Sequence, residues 1–157
     1  MITTDLNPKL FLKMTRVIFF FLFGGLMTFL LMVLYITDSK FLFNPDISDS
    51  LMLATFILSC ISFPAGYFFA KMIFKKIDQN DLLKNKLPKY QSGQIIRLAT
   101  CEGIGILAIV SLLLTSNLFF LIFLLVVFFI MIQYYPTPDK IGREINLTQN
   151  EIDMFNN

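Results

Sequence analysis

The chain has 157 residues, of which 56% are hydrophobic and only 15% charged, against roughly 25% charged in an ordinary water-soluble domain. With a formal net charge of +2 and no histidine, an imidazole base, a histidine metal site and a basic stripe for nucleic acid are all excluded. Phenylalanine supplies 19 residues and tryptophan none, so the apolar bulk points to lipid and to an all-α polytopic membrane protein.

The chain opens with "MITTDLNPKLFLKMTR" and runs into an apolar stretch too long for a signal-peptide core, with no small-residue cleavage site after it, so a retained span is expected. Residues 17–36 carry no charge, and neither do residues 51–70. Each has the roughly 20 residues that a helix needs to cross a hydrocarbon core. Between them lies "TDSKFLFNPDISDS", whose acids Asp38, Asp46 and Asp49 are expected to be solvated and not to form a metal or acid-base group. Cys60 in the second span and Cys101 in the third read as small hydrophobes, not as bridge partners.

The third span is 95–114 and the fourth 118–134, separated only by "TSN", so these two must form an antiparallel hairpin. With no water in lipid to satisfy the backbone, segments of this length are helices, and the alternation of a barrel strand is absent. The expected fold is therefore four transmembrane helices as two antiparallel hairpins within a domain at 1–134, followed by a tail at 135–157.

Lysine and arginine give direction. Lys9, Lys13 and Arg16 precede the first span, six lysines from Lys71 to Lys89 separate the second from the third, and Lys140 and Arg143 follow the fourth. Lys40 alone lies on the opposite side. The positive-inside rule then puts both termini and the central loop in the cytoplasm, with the protein in the inner (plasma) membrane. Lys71, Lys75, Lys76 and Arg97 form an interfacial basic group. The loop lysines read first as topology determinants, with binding of an anionic leaflet as the alternative.

In the central loop a helix is expected to restart near Pro88. In the tail, Thr137 before Pro138 reads as a helix start, and Thr148 with Glu151 has capping-box spacing, so short C-terminal surface helices are expected. Their apolar residues Ile141, Ile145, Leu147, Ile152 and Phe155 fit either headgroups or a partner protein.

The third span holds two charges. By the helical rise of 1.5 Å per residue, Arg97 lies about 3 Å beyond Ile95 and Glu102 about 10 Å beyond it. Arg97 is expected to snorkel to the interface. Glu102 is too short to do so, and a five-residue separation turns the two side chains about 140° apart, which makes an internal salt bridge poor. Glu102 is expected to face protein, because Ala99 with Gly103 and Cys101 with Gly105 let another helix approach. The second span offers partners: Pro64 leaves the Cys60 carbonyl free, and Ser59, Ser62 and Tyr67 add hydroxyls.

The segment "RLATCEGIGILAIVSLLL" resembles the carboxylate-bearing second helix of rotary ATPase proteolipid subunits, where a glutamate among Gly and Ala exchanges ions. The resemblance covers about 18 of the 157 residues and implies a proton- or cation-handling role for Glu102. As a whole the chain is similar to small four-helix membrane proteins of AT-rich bacteria. A lone acid without a relay favours a structural, assembly or accessory-subunit role, with Glu102 satisfied inside a bundle that is homo-oligomeric or joined to a larger membrane complex. No nucleophile elbow, phosphate loop, metal spacing or dinucleotide fingerprint occurs, so neither catalysis nor a cofactor is expected.

Overall fold

The computed structural model describes residues 7–37, 41–45 and 49–155. Over these the chain is all-helical: α1 Pro8–Ile36, α2 Ser50–Lys75, α3 Leu83–Thr115, α4 Phe120–Gln133, α5 Pro138–Ile145 and α6 Gln149–Asp153. By length and composition α1, α2 and α3 are each sufficient to cross a membrane, and α4 joins them if it is taken together with α5 across the bend between them. Asp38, Lys40 and Asp46 lie outside the described residues. Asp49, the third acid of that loop, caps α2 and accepts from the Leu51 amide at 3.0 Å.

Two helices run well past their apolar windows. Asn7 caps α1 and Pro8 takes its first turn, so the helix begins nine residues before Val17. Helix α3 starts at Leu83, not at Pro88, which lies inside it. A proline there removes one ladder bond near the helix start, and burial of Leu87 and Tyr90 beside it offsets the loss. At 33 residues, α3 is about 50 Å long.

Helix α3 is the centre of the bundle, and α1, α2 and α4 all pack on it. Small residues set the close approaches. A Cβ at Gly66 of α2 would overlap the Thr100 side chain, and one at Gly105 would lie 2.9 Å from the Leu26 methyls of α1. Cys101 and Gly105 thus serve a helix contact as their spacing suggests, whereas Gly103 faces open space. Hydroxyls along α2 are absorbed locally: Thr55 donates to the Leu51 carbonyl and Ser59 to the Thr55 carbonyl, each at 2.7 Å. Such bonding lets polar side chains sit on a buried helix face.

At one end the turn between α3 and α4 places Ser116 in the left-handed region, φ 53°. The Asn117 side-chain amide accepts from the Asn44 backbone N–H and donates to the Asn44 carbonyl, while the Leu118 N–H donates to the Leu42 carbonyl at 2.8 Å and the Leu42 N–H to the Ser116 carbonyl at 3.0 Å. Residues 42–44 are thereby clipped across the turn between α3 and α4. At the other end α4 is only 14 residues, about 21 Å, and the chain then bends by 83° into α5. Thr137 caps α5, and Thr148 with Glu151 forms the complete capping box of α6, as their spacing predicts.

The tail does not project to headgroups or to a partner as the sequence allowed. Ile141, Ile145 and Phe155 are buried with Phe11 and Leu12 of α1, Ile77 after α2, and Leu87 and Tyr90 of α3, with Leu147 packed against them. A second core therefore caps the end of the bundle at which α1 and α3 begin and α2 ends. The main core, with Leu26, Leu98, Ala108, Leu112, Phe120 and Val127, fills the bundle.

These approaches make a contrast that thermal unfolding in mild detergent can read. Gly66→Ala is expected to destabilise by about 1–3 kcal/mol, because the added methyl meets Thr100. Gly25→Ala, which points into open space, is expected to gain up to about 1 kcal/mol from helix propensity. Equal melting of the two would refute the close approach of α2 to α3.

Candidate functional site

The two charges of α3 have separate fates. Arg97 does not snorkel; its side chain is 3% exposed. The reason is the early start of α3: Arg97 lies 14 residues inside the helix, not at its end. The fork of its guanidinium meets the Glu144 carboxylate of α5 in a bidentate pair, Nη1 to Oε1 at 2.7 Å and Nη2 to Oε2 at 2.8 Å. Nε donates to Gln94 Oε1 at 2.6 Å, and Nη2 also reaches the Tyr90 hydroxyl at 3.3 Å. Gln94 in turn donates to the Tyr134 carbonyl at 2.6 Å, at the end of α4. The charge also lies 4.6 Å from the centre of the Tyr134 ring and 5.4 Å from that of Phe74, a separation that adds cation–π attraction.

Around this pair is a cavity of about 270 Å³. Helix α2 contributes Tyr67, Lys71, Phe74 and Lys75, while α5 and its C-cap contribute Arg143, Glu144 and Asn146. Lys71 sits over the Tyr67 ring, 5.6 Å from its centre. The structure thus gathers three of the four interfacial bases named from sequence, Arg97, Lys71 and Lys75, with Arg143 in addition; Lys76 caps the end of α2 outside the cavity.

The proposed partners of Glu102 are not brought to it. Ser59 is buried with its hydroxyl on Thr55, Ser59 and Pro64 line a groove facing α4, Tyr67 lines the basic cavity, and Ser62 is half-buried on α2. Glu102 is half-buried and makes no hydrogen bond among the described residues. It belongs to an uncovered strip of α3 with Ile95, Ala99, Gly103 and Ile106. Both cysteines are free, Cys60 exposed and Cys101 buried.

Sequence reasoning missed Tyr90, Gln94, Glu144 and the ring of Tyr134 as members of the site. The available signal was spacing: Tyr90, Gln94 and Arg97 stand at i, i+4 and i+7, polar groups on the face that also holds the buried Leu87, Leu98 and Cys101. A polar row on a buried face requires partners from elsewhere in the chain.

Beside the site, Lys86 is also buried, and its ammonium meets Glu151 at 2.8 Å. Burial alone would push the Glu151 carboxyl up, but hydrogen bonds from Lys86 and from the Thr148 amide and hydroxyl outweigh it and hold the group below its ordinary value.

Two expectations follow from these pairs. Glu144→Ala strands a buried guanidinium and is expected to cost about 3 kcal/mol, whereas replacing both Arg97 and Glu144 by methionine recovers most of that loss; thermal unfolding checks both. For Glu151 the folded value is the lower one, so its contribution is complete above the ordinary carboxylate pKa of about 4.3 and is lost as pH falls through the folded value. Hydrogen exchange over residues 149–155 is expected to accelerate in that acid window, and Glu151→Gln is expected to flatten the dependence. Comparison of the chain with family models, with curated proteins and with solved structures found no match.

Proposed function

We propose that the chain is a multi-pass protein of the inner membrane, with four spans as two antiparallel hairpins and both termini and the helical cap in the cytoplasm. It acts as a structural, assembly or accessory component through the face of α3 that bears Glu102. The membrane reading is supported by the apolar side chains turned outward around the bundle, among them Phe21, Leu31, Phe56, Ile61, Phe68, Leu125 and Phe129. A water-exposed surface of that kind would be an aggregation site. Orientation is supported by the bases: Lys9, Lys13 and Arg16 begin α1, Lys71, Lys75 and Lys76 end α2, and Lys140 and Arg143 lie in α5, all toward the capped end.

The observation that carries the assembly role is the uncovered strip around Glu102. An intramembrane carboxyl without a hydrogen-bond partner among the described residues is costly. Ala99 and Gly103 beside it leave room for a second backbone at close range, and a hydrogen bond across such an interface removes the cost. Rotated from Glu102, the α2 and α4 sides of α3 are already filled by the chain itself.

Disulfide cross-linking tests this. On a background of Cys60→Ser and Cys101→Ala, Gly103→Cys is expected to give a covalent dimer or a link to a co-purifying subunit in native membranes, and Gly103→Leu is expected to shift the detergent-solubilised protein toward monomer. Glu102→Leu is expected to weaken assembly more than Glu102→Gln, which keeps a hydrogen-bonding group. A wild-type protein that remains monomeric yet carries a proton flux into liposomes that Glu102→Gln abolishes would replace this role by ion handling.

A further inference from the structure

The cavity at the capped end holds more positive charge than the fold uses. Lys71, Lys75, Arg97 and Arg143 line it against the single carboxylate Glu144. Glu144 is spent on Arg97 through both oxygens. Lys71, Lys75 and Arg143 are exposed and make no ion pair among the described residues. Three cations from two different helices thus converge on one concave site whose floor already pairs its own charges.

The same face of α2 continues away from that cavity as an apolar groove. Phe56, Cys60 and Phe63 line the groove, of about 370 Å³, and α4 closes its other side with Ile122, Phe123 and Val126. Positions 56, 60, 63, 67, 71 and 74 follow one another at three- and four-residue steps, which is one continuous face of a helix. Tyr67 therefore joins the two, with the groove on one side of it and Lys71 on the other. From Phe56 to Lys71 the face runs about 22 Å along the axis, a length that accommodates a hydrocarbon chain with a charged end.

We propose that this cavity binds the phosphate headgroup of an anionic membrane lipid, with an acyl chain lying in the groove between α2 and α4. The inference rests on the membrane reading above. Phosphate, with several oxygens, can accept from an arginine fork and two ammonium groups at once, whereas a lone carboxylate offers fewer sites. Arg97 is then a positioning residue: its pair with Glu144 anchors α5 and so aims Arg143 into the cavity.

Native mass spectrometry of the detergent-purified full chain, titrated with phosphatidylglycerol, cardiolipin, phosphatidylcholine or inorganic phosphate, tests the proposal. The triple variant Lys71→Gln, Lys75→Gln, Arg143→Gln leaves the Arg97–Glu144 pair intact and is compared with Lys13→Gln, Lys76→Gln, Lys84→Gln, which removes the same charge outside the cavity. Binding of the anionic lipids is expected to weaken about a hundredfold in the first variant and far less in the second, given the contribution of each base near an anionic headgroup. Phe123→Trp, which fills the groove, is expected to weaken lipid binding with all bases in place.

Equal losses in the two triple variants would overturn the site and leave only diffuse attraction. Inorganic phosphate competing as strongly as lipid would overturn the lipid source and assign the site to a free anion. Protease protection of the wild type in vesicles is read in parallel. A chain that inserts but shows no dependence on the cavity bases sinks this proposal alone, whereas one that fails to insert sinks the membrane reading.

Discussion

The bidentate contact between Arg97 and Glu144 fixes how the end of the bundle is built. A guanidinium removed from water loses several kcal/mol of solvation unless its donors are met and its charge is balanced. Here four of its five N–H donors are met from two helices: Glu144 of α5 takes two, Gln94 and Tyr90 of α3 take one each, and Gln94 passes the constraint to the Tyr134 carbonyl that ends α4. One side chain thus ties together the middle of α3, the last turn of α4 and the helix after the bend. The net gain over an apolar replacement is small; what the pair supplies is a single way for α5 to lie, since any other placement strands a charge.

That constraint explains why a short tail can fold at all. Helix α5 has eight residues and α6 five, well below the length at which an isolated helix is stable in water. They are held by burial of Ile141, Ile145 and Phe155 against the ends of α1 and α3 and by two ion pairs between residues far apart in sequence, Arg97–Glu144 and Lys86–Glu151. The platform exists because α3 is longer than a hydrocarbon core of about 30 Å requires. Its first turns supply Lys86, Leu87 and Tyr90, all buried under the tail. Excess helix length thereby becomes the wall of a second core.

The sequence disclosed whatever depends on neighbouring residues. The charge-free windows at 17–36 and 51–70 fall within α1 and α2, and the caps at Thr137 and Thr148 open helices where their spacing says they should. What it hid depends on contacts far along the chain. Glu144 is 47 residues from Arg97 and Glu151 is 65 from Lys86, and no local pattern marks either as a partner. The placement of Arg97 failed for a related reason. Depth counted from the edge of the apolar window at Ile95 puts Arg97 within reach of headgroups, but α3 begins at Leu83, and the tail covers the ground that a snorkelling side chain would use. Hydropathy finds where lipid can begin; it does not find where a helix begins.

The five-residue spacing of the two charges on α3 now has a structural meaning. At 100° per residue, Arg97 and Glu102 must point to different sides of the helix, and the bundle treats those sides differently. The Arg97 side is closed by the chain itself, through α2, α4 and the tail, and its charge is neutralised internally. The Glu102 side carries alanine and glycine and is left uncovered. An acid inserted one residue earlier or later would have turned by a quarter of a circle or more, toward α1 in one direction or further into the open strip in the other. Within one helix, then, register alone separates a charge spent on folding the chain from a carboxyl left for whatever lies beside it.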